Sequence, residues 1–88
     1  MVGKLIGIQM SDRTFKDKSE REVKYTRVYL TFAIRYNQGE GEGYYSKSII
    51  TSTSQLDKVG ADPRINETYQ VYFDENGKIA EFKKVNEK

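Results

Sequence analysis

Within the stretch Glu22 to Tyr36, a strongly apolar residue falls at every second position from Val28 to Ile34. Val28, Leu30, Phe32 and Ile34 occupy one set of positions. Tyr25, Arg27, Tyr29, Thr31, Ala33 and Arg35 occupy the other. Side chains of a strand alternate between its two faces, so this period of two specifies a long β-strand. The aliphatic and phenylalanine set is the core face. The other set is a surface that mixes flat rings with guanidinium groups.

Similar signals recur on either side of this strand, because Tyr, Phe, Val, Ile and Thr are frequent and suit a pleated surface. A first strand is expected over about Gly3 to Asp12, with Ile6, Ile8 and Met10 on one face and Gly3 and Gly7 on the other. The polar stretch Arg13 to Glu22, whose one aromatic is Phe15, reads as a loop or the tip of a two-stranded ribbon. Asn37 to Gly43 alternates Gly with Glu and reads as a turn. A third strand runs from about Tyr44 to Thr51. Ser52-Thr53-Ser54 offers N-caps for a short helix through Val59, with Leu56 and Val59 on one face and Gly60 as its stop. Strand four is Thr68 to Phe73, with Tyr69, Val71 and Phe73 inward. Asp74-Glu75-Asn76-Gly77 is a hairpin turn. Strand five is Lys78 to Val85, and the tail Asn86-Glu87-Lys88 is expected to fray.

Eighty-eight residues suffice for one domain, residues 1–88, and its core must be thin. The order β-β-β-short helix-β-β predicts an all-β fold, a small five-stranded OB-like barrel with a short helix between strands three and four. The chain has neither Cys nor His, which removes disulfides, zinc-finger ligands, Cys nucleophiles and His general bases. No carboxylate run has calcium-loop spacing. No cofactor is expected. The apolar start is too short for a signal segment or a membrane span, so the expected location is cytoplasmic, with no membrane association.

Charge is polarised along the chain. From Arg13 to Arg35 there are seven basic and three acidic residues, and the remainder is net acidic. The exposed row Tyr25, Arg27, Tyr29 and Arg35 suits a single-stranded nucleic acid, whose bases stack on rings and whose phosphates take cations. The segment with Arg13, Phe15, Lys16, Lys18, Arg21 and Lys24 would form a basic ribbon beside that row. Tyr44 and Tyr45 point to opposite faces. Tyr45, on the same face as Lys47, is the one expected to join the platform. Catalysis finds no support: Ser46 and Ser48 near Lys47 could suggest a Ser–Lys pair, but spacing alone is no evidence, and the Glu-rich glycine loop would repel phosphate. The chain is therefore expected not to be an enzyme.

This layout resembles the single-stranded DNA-binding (helix-destabilising) proteins of filamentous phages. A short first strand, a basic ribbon, a long strand and a final hairpin carry the likeness. Lys24-Tyr25-Thr26 is the nearest local match to the family's Lys-x-Tyr-Ser-like opening, with one residue omitted. Thr68–Phe73 and Lys78–Val85 are similar in placement to its last two strands. The acids of the ribbon and the Gly-Glu loop depart from the family pattern. The resemblance implies an OB-like fold, a homodimer, and cooperative, largely sequence-independent coating of single-stranded DNA. It maps the family's ribbon and tyrosines to Arg13, Lys16, Arg21, Lys24 and Tyr25. It also implies a phage or mobile-element setting, with a part in DNA replication. RNA stays open as the ligand. The alternative function is a protein-interaction or regulatory module docking through the Tyr/Arg face; the blandest is a dimeric structural protein that buries it.

Overall fold

The computed structural model describes residues 1–37 and 39–86. Five antiparallel strands form one open sheet: β1 (Val2–Lys16), β2 (Glu22–Arg35), β3 (Tyr44–Ser52), β4 (Thr68–Phe73) and β5 (Ile79–Val85). Their order across the sheet is β3-β2-β1-β4-β5, so β3 and β5 are its edges. The short helix α1 (Thr53–Lys58) lies between β3 and β4 in the chain. Residues 87 and 88 of the expected fraying tail lie outside the described residues. No helix among the described residues is long and apolar enough to cross a membrane.

The core follows from β2. Val28, Leu30 and Phe32 are fully buried, with Leu5, Ile49, Leu56, Tyr69, Val71 and Ile79 around them. Cross-strand partners explain this grouping: Leu5 lies opposite Phe32 and Ile49 opposite Leu30. Ser52 ends β3 and caps α1, its side chain accepting a bond from the Gln55 amide. That cap turns the chain so that Leu56 enters the core, while Gln55 Nε2 donates to the Ile79 carbonyl at 2.8 Å.

Strand β1 corrects the expected row of Ile6, Ile8 and Met10. A bulge between Leu5 and Gly7 shifts the register against β2. One extra residue reverses the facing of everything beyond it. Leu5 and Ile8 therefore share the core side, whereas Ile6 is exposed. Gly3 is on the core side and not on the face expected for it. A Cβ there would lie 3.0 Å from Phe32 Cβ, so the close approach of β1 to β2 requires glycine. Phe73, expected inward, is exposed beside a second register shift in the β4–β5 hairpin.

The strand pair β1–β2 continues well past the core. Pairing persists to Lys16 opposite Glu22, which makes the segment after Asp12 a ribbon and not a loop. The molecule is accordingly elongated, 52 × 24 × 24 Å, with a radius of gyration of 15.1 Å. A compact chain of this length would have about 12 Å. At the ribbon tip Asp17 closes the turn, its Oδ1 accepting from the amides of Ser19 and Arg21.

Candidate nucleic-acid interface

Register assigns each candidate residue to one of two sheet faces. Directly opposed residues share a face. Tyr25 opposes Arg13, Arg27 opposes Ser11, Tyr29 opposes Gln9, and Val23 opposes Phe15. On the other side of β2, Tyr29 opposes Ile50, Thr31 opposes Ser48, and Arg35 opposes Tyr44. Arg13, Phe15, Tyr25, Arg27, Tyr29, Arg35 and Tyr44 therefore lie on one surface, the face turned away from the core.

Within that surface the ribbon half is tightly organised. Arg27 donates through Nη2 to the Tyr25 hydroxyl at 3.1 Å and through Nη1 to the Tyr29 hydroxyl at 3.4 Å. Its guanidinium carbon lies 6.0 Å from the Tyr25 ring centre, a cation–π distance. The Phe15 ring meets Tyr25 edge-on with centres 5.7 Å apart. The two phenol bonds, that to Tyr29 foremost, raise the proton affinity of Arg27 above its ordinary value. Reciprocally, the bond from Arg27 draws the Tyr29 phenol below its ordinary range. Desolvation opposes this and Arg13 adds to it.

The same surface is poor in acids. Of the strand residues that face outward by register, Glu81 is the one carboxylate, and Lys83 lies 3.6 Å from it. Three arginines and Lys4 thus stand on a sheet face whose negative charge is confined to its far edge. The acids of the ribbon are elsewhere. Asp17 is engaged by backbone amides at the turn. Asp12 accepts from Thr26 on the opposite face, and Glu22 pairs there in register with Lys16.

Register also removes several expected members. Lys16 and Lys24 fall on the core-side face of the ribbon, with Thr14, Thr26 and Glu22. Lys18 and Arg21 sit at its tip. Tyr45 and Lys47 oppose Ile34 and Phe32, which places them on the core-side face as well. Tyr45 packs against Tyr36, with ring centres 5.0 Å apart. Tyr44 takes the platform position expected for Tyr45. Its pairing with Arg35 is fixed by the β2–β3 register, which residue types alone do not reveal.

Among the described residues no group of three or more His, Cys, Asp and Glu side chains could hold a metal ion. Comparisons with known protein families, characterised proteins and solved structures found no match to this chain.

Proposed function

We propose that the protein binds single-stranded DNA, largely without regard to sequence, through the outer face of β1, β2 and β3. The observation that carries this is the Phe15–Tyr25–Arg27–Tyr29 cluster, in which one guanidinium is held between two phenols on an acid-poor surface. Rings supply sequence-tolerant stacking, worth about 1–3 kcal/mol per base, because every base has a π-face. Arg13, Arg27 and Arg35 supply phosphate contacts, and Arg27 arrives pre-oriented by its hydroxyl partners. The role is one of coating and involves no catalysis. Five antiparallel strands with a helix between the third and fourth suit an OB-like architecture, in which a strand face commonly takes oligonucleotides. A thin core and the unpaired edge of β3 suit a homodimer. A helix-destabilising protein of a phage or mobile element, acting in the cytoplasm, fits this combination.

A titration of labelled oligo-dT at low salt tests the proposal. Saturable binding is expected, and log K should fall with log salt by about 0.7 for each phosphate neutralised. Absence of binding at low salt contradicts it. One observation favours a protein partner instead: Ile50, on the same face, is 64% exposed. Nucleic acid that co-purifies and is stripped by salt separates the two readings in favour of DNA.

A further inference from the structure

At the end of the outer face away from the ribbon, four strands form a cleft of about 480 Å³ lined by Val2, Lys4, Ile6, Ala33, Arg35, Tyr44 and, from β4, Thr68. Its shape has local causes. The bulge after Leu5 pushes Ile6 outward as one wall. Ala33, opposite Lys4, leaves a low floor. Tyr44, opposite Arg35, is 65% exposed and stands as the other wall.

The chemistry of this lining is that of an aromatic anion's site. It has a free ring, three aliphatic side chains and two cations, and no carboxylate. Neither Lys4 nor Arg35 makes a salt bridge or a side-chain hydrogen bond with another described residue. A planar apolar base fits against Tyr44 and the aliphatic wall, and its phosphate fits the two cations. The cleft is also continuous with the proposed interface. Arg35 and Arg27 lie on the same face of the same strand, eight residues apart. That spacing is about 26 Å, at ~3.3 Å per residue. An oligonucleotide from the longer end of the range one such domain covers, about 4–16 nucleotides, can span it.

We propose that this cleft is a nucleotide subsite: Tyr44 stacks one base, and Lys4 and Arg35 hold the phosphate beside it, on the strand whose other end lies on Tyr25 and Tyr29. The inference rests on the single-stranded DNA reading above and adds a second anchoring point, remote from the ribbon. It makes the outer face a track with two anchors, so a strand too short to reach both loses one of them.

The test compares Tyr44→Ala, Lys4→Ala/Arg35→Ala and Tyr25→Ala with the unaltered protein, using dT16 and dT4 and checking each fold by thermal unfolding. Tyr44 and Lys4 are exposed, so the fold should persist. Tyr44→Ala should weaken dT16 binding about 5- to 150-fold with no change in salt slope. Lys4→Ala/Arg35→Ala, which gives up that one phosphate, should lower the slope by about 0.7. The Tyr44→Ala loss should be smaller on dT4, which can bind at the ribbon alone. If dT16 binds and Tyr25→Ala weakens it while Tyr44→Ala leaves affinity within about twofold, the cleft proposal is overturned and the ribbon reading survives. If the unaltered protein binds no dT16, both fall.

Discussion

Glu20 and Gly77 occupy the same position in two turns built on the same plan. In each, an aspartate opens the turn, and its Oδ1 accepts the amides two and four residues on: Ser19 and Arg21 from Asp17, Asn76 and Lys78 from Asp74. In each, the residue three after the aspartate has positive φ, 59° at Glu20 and 79° at Gly77. Glycine adopts this region freely, whereas a side chain there costs about 1–2 kcal/mol. Glu20→Gly is therefore expected to stabilise the protein by about 1 kcal/mol. In a domain of this size that raises Tm by about 4–8 °C, which a thermal melt measures directly.

Gly3 should tolerate nothing larger. An added Cβ meets Phe32, Ile34 and the Ala33 carbonyl at 3.0 to 3.2 Å: a fully buried core side chain, a partly buried one packed against the core, and backbone. Gly3→Ala should destabilise by about 1–3 kcal/mol, the usual cost of overpacking. A denaturant titration should show a lower midpoint with an unchanged slope.

The same local chemistry explains what could be read from the sequence and what could not. Val28, Leu30 and Phe32 were legible because their row is wholly apolar and the alternate row is not. The helix was legible because Ser52 is a good cap and Leu56 its one buried residue. Strand β1 was not, because Leu5 and Ile6 are adjacent and equally apolar, so no residue type marks where the bulge falls. For the candidate site, the row of Tyr25, Arg27, Tyr29 and Arg35 followed from alternation alone. Tyr44 and Tyr45 are identical neighbours, and only the pairing register with β2 separates them. The ribbon's basic residues occur at both odd and even positions, so composition gave a positive pole without showing that Arg13 and Lys24 face opposite ways.

Stacking and charge should separate in the salt dependence of binding. Tyr25→Ala and Tyr29→Ala remove rings and no charge. Each should weaken oligo-dT binding about 5- to 150-fold while leaving the slope of log K against log salt unchanged. Fluorescence titrations at several salt concentrations read both quantities at once.

Alkaline pH should weaken binding earlier than an ordinary tyrosine would allow. Arg27 draws the Tyr29 phenol below its usual value, so Tyr29 ionises on raising the pH before reaching that value of about 10. The phenolate would offset the charge of Arg27 and repel phosphate. Affinity should thus be full while Tyr29 is neutral and should fall as pH rises through its lowered pKa. Tyr29→Phe should remove this loss, and a series of titrations between about pH 7 and pH 10 shows whether it does.

In the proposed binding mode, one face of the ribbon, and not its general positive charge, holds the nucleic acid. Two charge-matched variants test it most directly. Arg13→Ala/Arg27→Ala removes two cations from the outer face, and Lys16→Ala/Lys24→Ala removes two from the opposite face of the same ribbon. At about 0.15 M salt, where screening acts over ~8 Å, the first should lose most of its oligo-dT affinity and the second should change little. Equal losses in the two variants, or a larger loss in the second, would contradict the account.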